Sequence, residues 1–219
     1  MAATERPLRA DAERNRRRVM DAARELFANR GLEVTLNDIA HHAGVGVGTV
    51  YRRFPDKAVL IEALFEERIE ELVAIARAGL DDPDPMNGFV TAITRVLEVQ
   101  EADRGMKELM LSVDSSRQRV GRIRELMAPI VAQLVARARA CGELRSDVVP
   151  QDFPMIQIML GAVIDVGRDS APGLWRRYLE LLVQGMRAQP QPPAPLSVQA
   201  PGFERMECVL GAWRPPRRA

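Results

Sequence analysis

Residues 35–57 read TLNDIAHHAGVGVGTVYRRFPDK, and this stretch decides the fold. Thr35 stands immediately before a helical pattern of apolar residues and is a typical N-cap. Asp38 falls in the first turn, where the helix dipole favours a negative charge. Gly44 ends the pattern after about two turns. The first half of the stretch therefore predicts a short, capped helix.

A second short helix is predicted from about Val47 to Arg53, after the tight connection of residues 43–46 and before Pro55, which closes it. Helices this short are marginal alone, so their apolar residues must pack against the longer helix that precedes them. The residues expected in this contact are Ile39, Ala40, Val45, Val50 and Phe54, with Leu26 and Phe27 of the preceding helix. The pattern indicates a helix-turn-helix platform that holds its last helix outward, and the major groove of DNA accepts one such helix.

The outward face of that last helix has the chemistry of a DNA-reading surface. Thr49 and Tyr51 offer hydroxyl groups to phosphate, and Arg52 can pair with a guanine or clamp a phosphate. Gly46 and Gly48 leave the start of the helix bare, so a phosphate can approach it. The candidate DNA-binding residues are Arg17, Thr35, Gly46, Val47, Gly48, Thr49, Tyr51, Arg52, Arg53 and Lys57.

Taken together, these residues resemble the DNA-binding domain of the TetR family of transcriptional regulators, over residues 14–66. The matching residues are Ala22, Ala23, Leu26, Phe27, Gly31, Thr35, Asp38, Ile39, Ala40, Ala43, Gly44, Val45, Gly48, Thr49, Val50, Tyr51, Phe54 and Lys57. The resemblance implies a homodimer that binds double-stranded DNA, with a second helical domain for an unidentified small-molecule effector. It also implies that Thr35, Thr49, Tyr51 and Lys57 contact DNA.

Two positions depart from the pattern of the family that the chain resembles. Gly46 stands where the family often has a serine that caps the DNA-reading helix and can meet a phosphate. Glycine caps a helix tolerably, so this departure puts one DNA contact in doubt and leaves the fold unaffected. Arg53 stands where the family often has a histidine, and it adds positive charge.

Helical patterns continue along the chain, and no alternating pattern long enough for a sheet occurs. The predicted fold class is all-α, with about nine helices: an N-terminal three-helix helix-turn-helix domain and a C-terminal helical bundle. Besides the two short helices, helices are expected at about 14–30, 56–78, 87–101, 105–113, 116–141, 150–168 and 172–188. The expected domains are residues 12–66 for DNA binding, residues 67–188 for effector binding and dimerisation, and residues 189–219, a proline-rich disordered tail. Gly79 is expected to end the fourth helix, and Pro129 to kink or break the helix that contains it.

Composition and motifs argue against other classes of protein. The longest apolar runs are too short for a membrane span, and two distant cysteines suit a reducing cytoplasm, where we expect the protein to reside. His41 and His42 are adjacent, so they point about 100° apart on a helix and cannot share a metal on one face. The glycines of residues 44–49 follow a helix and lack the phosphate-loop pattern. No nucleophile–base pair is visible, so we expect neither an enzyme nor a cofactor.

The C-terminal half offers candidates for an effector pocket and a dimer interface. Four methionines, flexible enough for a plastic ligand cavity and equally suited to an ordinary core, are the pocket candidates: Met106, Met110, Met155 and Met159. Residues 155–164 are apolar around most of the helix, which indicates burial on several sides. The candidate dimer residues on this helix and on the one that follows it are Ile158, Ala162, Trp175, Tyr178 and Leu182. A monomeric core remains the alternative for these residues.

The sequence thus predicts a DNA-binding transcriptional regulator. We expect a ligand-relieved repressor that acts as a homodimer on a near-palindromic operator, because two DNA-reading helices related by a twofold axis read two half-sites. Activation is the other mode of regulation open to this architecture. The alternative function is a ligand-binding or adaptor protein of the same fold that has lost DNA binding, and Gly46 is the residue that encourages this alternative.

Overall fold

Helices make up most of the chain that the computed structural model describes, which comprises residues 5–30, 33–102, 116–190, 194 and 196–212. The helices are α1 (Glu5–Arg30), α2 (Leu36–Ala43), α3 (Val47–Arg53), α4 (Lys57–Asp81), α5 (Pro85–Ala102), α6 (Ser116–Ala140), α7 (Asp152–Gly167), α8 (Leu174–Met186) and α9 (Phe203–Ala212). Within these described ranges no β-strand forms, and the extended pairing is one isolated antiparallel bridge between Leu144 and Arg187. The all-α prediction is confirmed.

The described residues divide into two compact units, and the division falls between Arg68 and Ile69. The first unit holds α1, α2, α3 and the start of α4, around one apolar core. Its buried residues are Val19, Met20, Ala22, Ala23, Leu26, Phe27, Val34, Leu36, Ile39, Ala40, Ala43, Val50, Phe54, Leu60 and Leu64, with Val45 partly buried against them. The residues expected in the contact of the two short helices with the first helix thus all belong to this core, in which α2 packs against α1 and α3 packs against α2.

Both ends of α2 are fixed by the local interactions that the sequence indicates. The Thr35 backbone N–H donates to Asp38 Oδ2 at 2.9 Å, and the Asp38 N–H donates to Thr35 Oγ1 at 3.2 Å, which completes a capping box. The hydrogen bond from the Thr35 hydroxyl, joined by that from its backbone N–H, lowers the pKa of Asp38 from its usual value. At the other end Gly44 adopts φ +60°, and its N–H returns to the carbonyls of α2.

The second unit is built around an apolar core shared by α4, α5, α6, α7 and α8. Its largest buried side chains include Trp175 and Phe89, and the Phe89 ring meets Phe153 edge-on with centroids 5.5 Å apart. Arg137 of α6 donates to the backbone carbonyls of Leu80 and of Asp82, the latter at 2.9 Å. This cation satisfies carbonyls at the C-terminal end of α4, where a helix leaves its last acceptors unpaired.

Several helix boundaries differ from the sequence expectation. The fourth helix does not end at Gly79 but continues to Asp81, because the break that follows is set by the Asp-Pro pairs. Helix α6 continues from Ser116 to Ala140 with Pro129 inside it, so the expected break at Pro129 is not observed. The expected helix at 105–113 lies outside the described residues. The remaining boundaries agree to within a few residues, apart from α1, which begins at Glu5 rather than at residue 14.

The expectation of a disordered tail is wrong for residues 203–212, which form α9. This segment contains no proline, although the residues before it are rich in proline, and its Met206 is 5% exposed. α9 packs against α6. Upstream, the Leu196 N–H donates to Asp147 Oδ2 at 3.4 Å, and hydrogen bonding from Arg145 lowers the pKa of Asp147 to about 2.

Opposite effects on stability are predicted for alanine at two glycines of the helix-turn-helix. Gly44→Ala places a Cβ on a left-handed residue and against the Arg18 guanidinium, so we expect the free energy of unfolding to fall by about 1 to 2 kcal/mol. Gly48→Ala adds a methyl group to helix α3 in open space, so we expect a rise of about 0.5 to 1 kcal/mol. Chemical denaturation without DNA measures both, and equal effects of the two variants would contradict the structure.

Candidate nucleic-acid interface

Helix α3 turns one side into the core and the other to solvent. Val50 is 1% exposed and Phe54 is 3% exposed, so they fix the inner side. On the outer side Val47 is 36% exposed and Tyr51 is 44% exposed, while Arg52 and Arg53 are also exposed. The structure therefore leaves Tyr51, Arg52 and Arg53 accessible to solvent.

The first turn of α3 begins without a side-chain cap. Gly46 is the N-cap, and its carbonyl accepts from the N–H groups of Thr49 at 2.8 Å and Val50 at 3.2 Å. Gly46 and Gly48 are exposed, and a side chain at position 48 would meet no atom within 4 Å. Thr49 is half-buried beside them. The absence of side chains at these two positions leaves the start of α3 open to approach, which is the geometry that a close backbone contact with DNA requires.

Thr35 and Lys57 are brought to the same edge of the first unit. The Lys57 ammonium donates to the carbonyl of Val34 at 3.3 Å, and Val34 is the residue before Thr35. The Thr35 hydroxyl donates to Asp38 Oδ2 at 2.7 Å while it caps α2. Lys57 therefore links the start of α4 to the start of α2, and it contributes to the structure as well as to the positive charge of this edge.

Arg17 and Arg18, which are adjacent in the sequence, have different environments. Arg17 is exposed and lies 3.8 Å from Glu13 of its own helix. Arg18 instead donates to the carbonyl of Gly44 at 3.2 Å, so α1 holds the turn between α2 and α3. Sequence reasoning missed Arg18 as a positioning residue, because a bond between residues 26 apart leaves no local pattern.

The two histidines make no metal site with other described residues, among which no suitable group of ligands occurs. His42 Nε2 lies 2.9 Å from Glu25 Oε2, which joins α2 to α1. His41 is exposed. The pair of histidines therefore contributes to helix packing and to the surface of the first unit.

The pocket candidates are only partly described. Met106 and Met110 lie outside the described residues, Met155 is half-buried, and Met159 is 49% exposed. The second unit has a groove of about 500 Å³ between α4 and α6, whose apolar lining includes Leu80, Leu126 and Ile130. Neither Met155 nor Met159 lines this groove.

One of the dimer candidates needs correction. Trp175 has no exposed surface, because it anchors α8 in the core of its own chain, so it cannot reach a partner subunit in this conformation. Ala162 and Tyr178 are exposed, and Ile158 and Leu182 are half-buried. These four residues stay predictions for the interface.

An outward helix held by a tight turn on a three-helix platform defines a DNA-binding protein of the helix-turn-helix class. Residues 19–64 match the family model of bacterial regulatory proteins of the tetR family, and residues 84–188 match the C-terminal domain of SbtR-like transcriptional regulators. The chain belongs to the TetR family of transcriptional regulators.

Individual relatives agree with this membership. The HTH-type transcriptional repressor BepR of Brucella suis is 28% identical over 156 residues, 70% of this chain and 69% of that protein. An HTH-type transcriptional regulator of Staphylococcus aureus (strain USA300) is 34% identical over 76 residues, 34% of this chain and 41% of its own length. This chain therefore matches less than half of the length of the Staphylococcus aureus regulator.

Solved structures share the fold along most of the chain. The TetR regulatory protein from Mycobacterium vanbaalenii is 29% identical, with a TM-score of 0.63 over 83% of this chain and all of that one. FadR from Bacillus subtilis, solved with stearoyl-CoA, is 21% identical, with a TM-score of 0.62 over 77% of this chain and 98% of its own.

Among the described helices, none is long and apolar enough to cross a membrane.

Loss of the Arg18 side chain is expected to loosen the turn of the helix-turn-helix. In Arg18→Gln the hydrogen bond to the Gly44 carbonyl is lost, so the N–H groups of Gly44 and Val45, which close the turn on α2, should exchange with solvent about tenfold faster. Native-state hydrogen exchange measures this. Arg14→Gln is the control, since it removes the same charge from the exposed surface of α1. Equal exchange in both variants would show that Arg18 contributes only charge.

Proposed function

We propose that this protein is a homodimeric repressor that binds a near-palindromic operator through α3 and releases it when a small molecule binds the second unit. The single observation that carries the proposal is the exposed surface of α3, where Tyr51, Arg52 and Arg53 lie beside the uncovered glycines 46 and 48. Side chains of these types contact phosphate and base edges, and the phosphate contacts should make binding strongly dependent on salt.

Dimerisation is supported by apolar side chains that one chain leaves exposed on α7 and α8. On α7, Met159 is 49% exposed and Val166 is 82% exposed, and Ala162 lies between them on the same face. On α8, Tyr178 is 44% exposed and Leu181 is 55% exposed. Exposed apolar faces on two successive helices are typical of an interface, and a twofold pairing would bury both in a four-helix contact.

Relief of repression by an effector is supported by the family and by ligand complexes among its structural neighbours, such as FadR with stearoyl-CoA. An effector that binds one conformation of the second unit better shifts the population toward that conformation. Helix α4 is the element that such a shift would move, because it supplies Leu60 and Leu64 to one core and Ala76 to the other. The spacing of the two α3 helices in a dimer would then change, and the affinity for the operator would fall.

A ligand-binding or adaptor protein that has lost DNA binding is the second candidate. Gly46 favours it, because α3 has no side-chain cap there and lacks the hydroxyl that a serine would offer to a phosphate. Against it stand Tyr51 and Arg52, which are exposed on α3 and have side chains suited to contacts with DNA. A repressor is therefore the function that the surface supports best.

Tyr51→Ala is expected to weaken operator binding at least tenfold, because the side chain contributes contacts to phosphate and sugar worth about 1 to 3 kcal/mol. The measurement is a gel-shift titration on the DNA upstream of the protein's own gene, at fixed salt. Tyr51 is preferred to Lys57 as the target because Lys57 also holds the Val34 carbonyl.

Val209→Ala is the matched control for Tyr51→Ala, since Val209 is equally exposed, at 44%, and lies on α9. It should leave operator binding unchanged. If Tyr51→Ala bound the operator as tightly as the parent protein, DNA reading by α3 would be refuted, and the adaptor alternative would gain support.

Ala162→Glu is expected to dissociate the dimer, because a buried carboxylate without a partner strongly opposes association. The apparent dissociation constant should rise at least a hundredfold in sedimentation-velocity measurements. Ala136→Glu, at an exposed alanine of α6, introduces the same charge outside the proposed face and should remain dimeric. A dimer of unchanged strength in Ala162→Glu would show that the interface lies elsewhere.

A further inference from the structure

Helix α3 exposes an apolar side chain in its first turn. Val47 is the first residue of α3 and is 36% exposed. Tyr51, one turn later, is its neighbour along the helix and is 44% exposed. In the described part of the first unit, the other large apolar side chain with comparable exposure is that of Val59 on α4. Two of these three side chains thus lie one turn apart on the helix proposed to read DNA.

The residues on either side of Val47 leave its side chain uncovered. Gly46 and Gly48 have no side chains, and a Cβ at position 48 would meet no atom within 4 Å. Thr49, the next residue of this turn, is half-buried. A surface that approaches the first turn of α3 therefore meets the isopropyl group of Val47.

The chemistry of Val47 differs from that of the other exposed side chains of α3. Tyr51, Arg52 and Arg53 form hydrogen bonds, whereas a valine side chain neither donates nor accepts one. Because valine is β-branched, it keeps one strongly preferred rotamer in a helix, so little conformational freedom is lost when another surface covers it. Val47 can therefore strengthen binding by burial against an apolar group, and it disfavours a polar group that would lose its water without a replacement.

The edges of the base pairs in the major groove offer one apolar group. Guanine, adenine and cytosine present hydrogen-bond donors and acceptors there, and thymine presents an acceptor together with its C5-methyl group. The residues at the start of a DNA-reading helix are those that contact base edges, and Val47 occupies this position in α3. Of the four bases, thymine therefore matches the side chain of Val47 best.

We propose that Val47 selects a thymine in each half-site of the operator by packing its isopropyl group against the C5-methyl group of that base. Each subunit of the proposed dimer supplies one α3, so the contact occurs once in each half-site. This inference rests on the proposed function, since it names a base that the DNA-reading helix selects.

Deoxyuridine tests the proposal, because it pairs with adenine as thymidine does but lacks the C5-methyl group. The duplex is the DNA upstream of the protein's own gene or, where that DNA is not bound, a duplex that the protein selects from random sequences. Each thymidine is replaced in turn by deoxyuridine, at the equivalent positions of both half-sites. Gel-shift titrations at fixed salt should show a loss of about fourfold in affinity per half-site at one such position, the effect of one methyl group removed from an apolar contact.

Val47→Ala identifies the residue that makes this contact. The variant should bind the thymine operator about threefold to tenfold more weakly per half-site than the parent protein. It should lose no further affinity when deoxyuridine replaces that thymine, because the alanine side chain no longer reaches the methyl group. Val209→Ala, at an exposed valine of α9, is the matched control and should remain as sensitive to deoxyuridine as the parent protein.

Two results would overturn the assignment. In the first, the parent protein binds its operator equally well whichever thymidine is replaced, a result that needs no variant and so cannot arise from a folding defect. In the second, Val47→Ala remains as sensitive to deoxyuridine as the parent protein. Failure of the proposed function is recognised differently, because the parent protein then binds no duplex, or Tyr51→Ala binds the operator as tightly as the parent protein does.

Discussion

The first unit depends on the packing of two short helices into a core that they share with the long helix α1. α2 and α3 have eight and seven residues, too few to be stable alone, so their conformation is maintained by packing, α2 against α1 and α3 against α2. Ile39 and Val50 enter this core from the two short helices, beside Phe27 of α1. Because Val50 is fixed inside, the opposite side of α3 must face solvent. The exposure of Tyr51, and with it the surface proposed to read DNA, is thus a consequence of core packing.

How much the sequence predicts depends on the range of the interaction. The ends of α2 are local features, since the partners of Thr35 and Asp38 lie within three residues, and the sequence indicates them correctly. The bond from Arg18 to Gly44 and the complete burial of Trp175 are not local. A broad apolar stripe on α8 does not distinguish the side that meets its own chain from the side that is left exposed, so Trp175 and Tyr178 could not be separated from the sequence.

The C-terminal residues contain a short helix that the average composition of this part of the chain conceals. Five prolines lie in residues 190–201, and none lies in residues 203–212, which form α9. Met206 gives that segment an apolar anchor, and α9 packs on α6 through a side that is buried at this residue. An amino-acid composition averaged over many residues is therefore a poor guide to secondary structure where one large buried side chain can anchor a short helix.

The second unit shows two departures from an ordinary globular surface and core. Met159 and Val166 of α7 are exposed, while the Gln157 amide on the same helix is buried without a described partner. Both departures raise the free energy of an isolated chain, and the proposed dimer would relieve the first. In the proposed function, an effector that moves α7 would alter the dimer interface that this helix helps to form. Such coupling is reciprocal by thermodynamic necessity, so a ligand that strengthens or weakens the dimer must itself bind the dimer and the monomer with different affinities.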